Sequence, residues 1–211
     1  MRIGVKFERS GMCKYISHLD LQRVFSRAIR RSKLPVVYSQ GFNPHIILSF
    51  AQALAVGLET TGDYMEFSLT EDLEDISGRL NMPPDIKISK VGVLEEKGKK
   101  LMASVEAAEY DIHYTNPKTA TALREFMAKD EYVLKNKKGN ELDARKLVFD
   151  AEIYDDHAVM MLSLSSSAAL SPFVLMQEFA EEDGFSVLRK DLYTKDGEKL
   201  VPLSSLFIKE L

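Results

Sequence analysis

The chain has 211 residues, of which 45% are apolar and 28% are charged, and its net charge is -4. This composition is that of a globular protein and excludes a disordered tail, a collagen-like fibre and a small disulfide scaffold. No apolar run approaches the roughly 20 residues of a membrane helix, and charges interrupt the first apolar stretch. We therefore expect no membrane span, no signal peptide and a cytoplasmic location. The single cysteine, Cys13, excludes an internal disulfide and a multi-cysteine metal site.

Basic residues are concentrated near the start of the chain. Residues 1–50 contain nine Lys and Arg against two Asp and Glu, whereas residues 51–211 contain 19 against 30. This asymmetry predicts an anionic partner for the first segment. The alternative is a basic face that the acidic remainder of the same chain neutralises.

The first 96 residues follow a β-α-β-β-α-β pattern. Ile3, Val5 and Phe7 alternate with polar residues or glycine, which predicts a half-buried strand. Ser17 and Asp20 have the spacing of a capping box and predict the start of the first helix. The predicted elements are a strand at 2–8, a helix at 18–32, strands at 46–50 and 64–69, a helix at 71–80 and a strand at 86–93.

A linker is predicted at 95–101, and after it the pattern recurs more loosely. The elements predicted there are strands at 110–114, 132–134, 142–148, 159–164 and 185–193, helices at 117–128 and 171–182, and a turn at 137–140. The order indicates an α+β protein of two tandem ferredoxin-like (βαββαβ) sandwiches, the second less regular. The predicted domains are 1–96, which carries the basic first helix, and 102–211.

The first helix presents a row of cations. Its apolar residues, among them Leu21, Phe25 and Ile29, form a core stripe at helical spacing. On the other side, spacings of three and four place a set of basic residues on one face, and this set consists of Arg23, Arg27, Arg30 or Arg31, and Lys33 as an extension. Arginine forks fit phosphate oxygens and stack on bases, so the row predicts contact with a nucleic-acid backbone or an acidic protein surface.

Asp20 is the one acidic residue on this helix. An ion pair from Asp20 to Arg23 or Arg27 within the helix is the favoured interpretation of its position. The remaining arginines have no acidic neighbour on the helix to neutralise them.

The loop after this helix is the second candidate for binding. Gly41 permits unusual backbone angles, Phe42 has the ring to stack on a base, and Asn43 and His45 carry donors for phosphates or base edges. The alternative is that Phe42 anchors the core and that Asn43-Pro44 is an ordinary turn.

The histidines are weaker candidates for chemistry. His18 and His45 would serve as an acid–base pair if they met, whereas His113 and His157 look isolated on strands. The chain contains no phosphate-binding loop, dinucleotide fingerprint, zinc-protease motif or nucleophile elbow. We therefore expect no metal and no cofactor, and no catalytic residue beyond the weak candidates His18 and His45.

Three stretches resemble a known family. They are Tyr15–Arg23 (YISHLDLQR), Arg27–Arg31 (RAIRR) and Leu34–His45 (LPVVYSQGFNPH), and 54–57 (LAVG) and 107–110 (AAEY) fit as well. On these residues the chain resembles the bacterial radical-SAM-associated, or radical-SAM-linked, domain of unknown function. The resemblance covers most of the chain, and the first fifty residues carry its specificity.

The resemblance implies partners but no reaction. In that family the domain occurs alone or fused behind a radical SAM module, and genes for the lone form often lie near a ribonuclease of RNA processing. This chain resembles the lone form, because one cysteine cannot hold the iron–sulfur cluster of a radical SAM enzyme. The family has no established activity to transfer to any residue.

We therefore expect an accessory protein that binds RNA, tRNA or rRNA, and presents it to a radical SAM modification enzyme without catalysis of its own. Two alternatives stay open. One is an adaptor whose arginine row contacts the radical SAM protein, and the other is a metal-independent endoribonuclease that uses His18 or His45.

Overall fold

The computed structural model describes residues 1–135, 139, 141–166, 168–181 and 184–211. Within these residues the chain forms four helices and twelve strands and is an α+β protein, as the sequence predicts. It divides into two compact units, Met1–Val105 with Thr194–Leu211, and Glu106–Tyr193.

The first unit is an antiparallel sheet with one long helix. Its elements are β1 (Arg2–Arg9), α1 (His18–Arg31), β2 (Leu48–Phe50), β3 (Glu59–Ser68), β4 (Ile86–Leu94), α2 (Leu101–Ser104), β11 (Lys199–Pro202) and β12 (Phe207–Glu210). The strand order is β12-β4-β1-β3, and β2 pairs with β3.

The helix α1 packs on the sheet through three phenylalanines. Phe7 of β1 lies 4.8 Å from Phe25 of α1, and Phe50 of β2 lies 5.5 Å from Phe25, measured between ring centroids. Such ring pairs add about 0.5–1.5 kcal/mol beyond the area they bury. The sheet therefore sets which face of α1 is buried and which is left to solvent.

The second helix predicted for this unit is absent. Residues 71–80 form only a 3-10 turn, Ser77–Arg79, preceded by an irregular acidic segment. Helical spacing would bring the carboxylates of 71, 72, 74 and 75 together, and such like-charge pairs destabilise a short helix. Ile76 and Leu80 still bury their side chains, so the unit keeps a core without the helix.

Among its described residues, the second unit contains six strands and two helices. Its elements are β5 (Ala107–Tyr114), α3 (Lys118–Met127), β6 (Val133–Lys135), β7 (Glu141–Asp143), β8 (Val148–Ile153), β9 (His157–Ser163), α4 (Pro172–Met176) and β10 (Phe185–Asp196). The strand order is β10-β5-β9-β8, all antiparallel, and β6 and β7 form a separate hairpin.

The helix predicted at 171–182 ends early. The structure has α4 only to Met176, after which turns bring the Phe179 ring to 5.4 Å from Phe126 and 5.8 Å from Tyr132. This aromatic packing replaces the last helical turns. Glu182, at the end of the predicted helix, and Lys137, Lys138 and Asn140 of the predicted turn lie outside the described residues.

The two compact units divide the chain differently from the predicted domains 1–96 and 102–211. Residues 95–101 are not a free linker, because the Arg2 guanidinium donates to the carbonyls of Glu95 (2.6 Å), Gly98 (2.9 Å) and Lys99 (3.1 Å). Residues 194–211, assigned to 102–211 from the sequence, belong to the first unit. There β12 pairs with β4, and the Phe207 ring lies over Gly4 and Gly92, where a Cβ atom would collide with it.

Candidate nucleic-acid interface

The orientation of α1 is decided by its cap and its apolar stripe. Ser17 caps the helix, with its hydroxyl accepting from the Asp20 N–H at 3.1 Å, as the capping-box spacing predicts. Leu21, Phe25, Ala28 and Ile29 are all buried. The opposite face of α1 is therefore exposed to solvent.

Three arginines share that exposed face. A shallow depression on it is lined by Leu19, Gln22, Arg23, Ser26, Arg27 and Arg30. At a rise of about 1.5 Å per residue, Arg27 and Arg30 lie about 6 Å and 10.5 Å along the axis from Arg23. We call Arg23, Arg27 and Arg30 the arginine face.

The other two cations of the predicted row lie elsewhere. Arg31 is exposed, but its Nη2 donates to the Asn81 carbonyl at 3.0 Å, so it turns away from the arginine face. Lys33 lies beyond the end of α1 with a φ of 55°, in the left-handed region where glycine is usual after a helix. Lys33 therefore does not extend the row along the helix.

Within the fully described first unit, the arginine face is neutralised at one position only. Arg23 Nη1 lies 2.8 Å from Asp20 Oδ1, as the sequence predicts for this pair. In the first unit, where every residue is described, this is the only ion pair formed by the four arginines of α1 and Lys33. The Ser17 hydroxyl first, and the Arg23 guanidinium second, hold the pKa of Asp20 below its usual value.

Three other cations of the first fifty residues are paired or buried. Arg2 forms a buried ion pair with Glu66, Lys14 pairs with Glu59 at 2.9 Å, and Arg9 is only 1% exposed. The positive charge that the composition assigns to this segment is therefore concentrated on α1 and its C-terminal end.

The candidate loop is the tip of a small hairpin, residues 36–47. Val36 bridges to Leu69 and Tyr38 bridges to Ile46, and Val36 and Ile46 are buried. Gly41 has a φ of 121°, which a residue with a side chain rarely adopts. Phe42 is fully exposed, so the alternative that Phe42 anchors the core is wrong.

His45 is held by Ser39 at the base of the tip. Ser39 N–H donates to the His45 carbonyl (2.8 Å), the His45 N–H donates to Ser39 Oγ (3.1 Å), and this Oγ lies 2.9 Å from His45 Nδ1. If the imidazole is neutral and the hydroxyl donates to Nδ1, the proton is on Nε2. The ring then offers an N–H donor to solvent, next to the exposed Asn43.

The two histidines suggested for catalysis each have a local partner. His18 packs edge-on against the Phe50 ring at 5.2 Å, and its Nε2 lies 3.3 Å from Gln22 Nε2. In the described chain no hydrogen bond or ring contact joins His18 to His45. Each ring therefore contacts residues of its own surroundings, and the geometry offers no support for an acid–base pair.

The depression on α1 and the hairpin tip are separate features. No residue of 36–47 lines the depression, so Phe42, Asn43 and His45 form a second exposed group rather than part of one pocket with the arginines. The hairpin begins five residues after the end of α1, and both groups lie in the first unit.

Contrary to the prediction from the sequence, His113 and His157 are not isolated but belong to one cluster. His113 and His157 face each other across β5 and β9 with their rings stacked at 5.2 Å, and Tyr154 stacks on His157 at 4.5 Å. Asp156 Oδ1 lies 2.8 Å from His157 Nδ1, and this hydrogen bond lowers the pKa of Asp156. Only the strand register brings these residues together, so no local pattern could have revealed them.

The His113–His157 cluster does not suit a phosphate. The nearest charged partner of His113 is Asp111, with Oδ1 3.4 Å from Nε2, and Asp156 adds a second carboxylate. Negative charge on both sides repels an anion. Nor does any group of three or more His, Cys, Asp or Glu suited to a metal ion occur among the described residues.

No helix within the described ranges is both long enough and apolar enough to cross a bilayer.

Residues 2–172 match the family described as "Uncharacterized protein conserved in bacteria (DUF2344)". The chain belongs to this family. The match contains α1, the hairpin 36–47 and the His113–His157 cluster, and it ends within α4. The family's description names no activity, and a comparison with curated proteins found no match.

Proposed function

We propose that this DUF2344 protein binds RNA through the arginine face and presents it to a radical SAM enzyme that modifies tRNA or rRNA. The protein itself would catalyse no reaction. The observation that carries the proposal is the exposed arginine face, which has Asp20 as its only ion-pair partner in the fully described first unit.

The chemistry of the arginine face suits a phosphate backbone. A guanidinium donates two parallel hydrogen bonds to a phosphate and keeps its charge at every physiological pH. The steps of about 6 Å and 4.5 Å between the three arginines along α1 let neighbouring phosphates be contacted together. Each contact releases counterions, so the binding would weaken steeply with salt.

The choice of partner rests on the resemblance to the radical-SAM-linked group. Such an enzyme holds its iron–sulfur cluster with several cysteines, whereas this chain has one. The radical chemistry would therefore belong to the partner, and this protein would contribute substrate binding.

The test is filter retention of labelled total tRNA and rRNA by the full chain at about 50 and 200 mM salt. The test variant replaces Arg23, Arg27 and Arg30 with Gln. The matched control replaces Lys97, Lys99 and Lys100, three exposed lysines of the same unit, with Gln. Each lost phosphate contact makes the negative slope of log K against log salt shallower by about 0.7. The slope of the arginine variant should therefore be shallower than that of wild type by about 2.

Two results would contradict the proposal. One is no retention of either RNA by the wild-type protein at the lower salt concentration. The other is an arginine variant that binds as the lysine control does, with the same salt dependence.

A second candidate function is an adaptor that binds the radical SAM protein directly. It is favoured by Leu19, which lines the depression beside the arginines and is 54% exposed, and by the exposed Tyr15 just before α1. Mixed apolar and arginine surfaces are typical of protein interfaces. Capture of the purified radical SAM partner that survives nuclease treatment and is lost in Arg27→Glu/Arg31→Glu would favour the adaptor, and capture unchanged by these substitutions would exclude this version.

We further propose that both units derive from the ferredoxin-like plan. The supporting observation is the strand order: with the β6–β7 hairpin of the second unit left out, the first, third and fourth strands of each unit are neighbours and the second strand pairs with the third. The first unit lacks the second helix of that plan. An experimental structure with a regular helix at 71–80 would extend the likeness, and a different strand order would refute it.

A further inference from the structure

Phe42 has a surface position that core packing does not explain. Its side chain is fully exposed at the tip of the hairpin 36–47, and the neighbouring Gly41 has no atom within 4 Å of the position a Cβ would take. A large apolar ring left in water gains free energy when a partner covers it. The tip therefore presents a ring that is free to stack.

Hydrogen bonds and core packing hold the hairpin that carries Phe42. The three Ser39–His45 hydrogen bonds close the tip, while the buried Val36 and Ile46 anchor its base in the core. A ring on a preorganised support loses little conformational freedom when it binds.

The side chains around the ring suit a nucleobase. Gln40, Asn43 and His45 are exposed and polar, and their donors and acceptors match the edges of a base. The segment 36–47 contains no Lys, Arg, Asp or Glu, so it neither attracts nor repels phosphates. Phosphate contacts would fall to the arginine face of the same unit.

Stacking on Phe42 requires a base that is not already stacked. In a duplex both faces of each internal base are covered by its neighbours, and double-stranded RNA is recognised through backbone and 2′-hydroxyl groups instead. Unpaired bases of loops and single strands stack on aromatic side chains, and each stack contributes a substantial share of the affinity. An uncharged tip with one aromatic ring adds nothing to duplex binding.

Resting on the proposed RNA binding, we infer that the substrate of this site is single-stranded or looped RNA, with an unpaired base stacked on Phe42 and its backbone on the arginine face. The twelve residues of chain from Arg30 to Phe42 limit the distance between their Cα atoms to about 43 Å. An RNA segment of about 12 nucleotides is within the range that one single-strand site occupies.

The experiment measures fluorescence anisotropy with the full chain and two labelled RNAs of about 12 nucleotides per strand, an unstructured oligouridine and a fully paired duplex. Wild type is compared with Phe42→Ala and Phe42→Tyr, which keeps a stacking ring. The matched control is Val56→Ala, which truncates another exposed apolar side chain of the same unit. Because Phe42 contacts no core residue, thermal melting should show unchanged folding of its variants.

We expect wild type to bind the single strand more tightly than the duplex. Phe42→Ala should weaken single-strand binding by about fivefold to a hundredfold, with the salt slope and duplex binding unchanged. Phe42→Tyr and Val56→Ala should bind as wild type does.

The outcomes separate this inference from the proposed function. Equal affinity for both RNAs, or single-strand binding unaffected by Phe42→Ala, overturns the inference while RNA binding stands. Absence of binding to either RNA overturns the inference, and it overturns the proposed function as well if tRNA and rRNA are not retained on the filter. Loss of nuclease-resistant partner capture in Phe42→Ala, with RNA binding intact, would make the hairpin a protein-docking element and would also overturn the inference.

Discussion

The Arg2 guanidinium forms a buried ion pair with the Glu66 carboxylate, with Nη2 2.6 Å from Oε2. The side chains are only 12% and 8% exposed, and the Ser49 hydroxyl donates to the other carboxylate oxygen at 3.1 Å. Through its remaining donors Arg2 also holds the carbonyls of the segment 95–99. One side chain thus joins β1, β3 and the chain that follows β4.

Breaking this pair from one side should be costly. Arg2→Met leaves the Glu66 carboxylate buried without its cation, and we expect the free energy of unfolding to fall by about 3–5 kcal/mol. Urea denaturation measures it. Arg23→Met, which breaks the exposed pair with Asp20, is the control and should cost less than about 1 kcal/mol. Equal effects of the two substitutions would show that the Arg2–Glu66 pair is not effectively buried.

The depressed pKa of Asp20 predicts how the cap of α1 responds to acid. Because the pKa is lower in the folded state, the contribution of Asp20 to stability is complete above its unfolded value of about 3.9 and is lost as the pH falls through the folded pKa. The hydrogen bond that the Ser17 hydroxyl donates to Asp20 Oδ2 at 2.7 Å is the larger cause, so Ser17→Ala should raise the pKa of Asp20 more than Arg23→Ala does. Carboxyl NMR titration measures both shifts, and the reverse order would contradict the assignment.

Lys33 provides a test of strain at the end of α1. Its φ of 55° is unfavourable for a residue with a Cβ, so Lys33→Gly should raise the free energy of unfolding by about 1 kcal/mol. Arg31→Gly, at the last residue of α1, should instead lower the free energy of unfolding by up to about 1 kcal/mol. Thermal and urea melts of the two variants compare them directly. A destabilising Lys33→Gly would indicate that Lys33 is not left-handed in solution.

The Phe207 ring packs so closely on Gly92 that an added methyl group at Gly92 should be destabilising. A Cβ at Gly92 would come within 2.5 Å of the Phe207 ring, so Gly92→Ala should destabilise the protein by about 1–3 kcal/mol. The same substitution in a Phe207→Ala background should cost much less, because the ring it displaces is gone. A double-mutant cycle by urea denaturation measures the coupling. Additive effects of the two substitutions would show that the Phe207 ring does not lie against Gly92.

Local order along α1 could be predicted because it depends on neighbours in sequence. The Ser17 cap, the buried Leu21–Phe25–Ile29 stripe and the Asp20–Arg23 ion pair all follow from spacings of three and four residues. The helix predicted at 71–80 does not form, because helical spacing would bring its carboxylates together and they repel each other. The domain 102–211 stays a prediction, and the pairing of β4 with β12 could not be expected from local patterns because it joins residues more than a hundred positions apart.

The α+β class, the amphipathic first helix and the exposure of its arginines could be predicted from the sequence, because the period of a helix assigns its two faces locally. Which cations remain accessible depends on tertiary packing, which buries Arg2 against Glu66 and turns Arg31 toward Asn81. The exposure of Phe42 also depends on this packing. Tertiary packing also brings His113 beside His157 across two strands. The physical reason is that burial and pairing depend on which distant segments pack together. The residues next to a charge or a ring in the sequence do not show which partner it will contact in the folded protein.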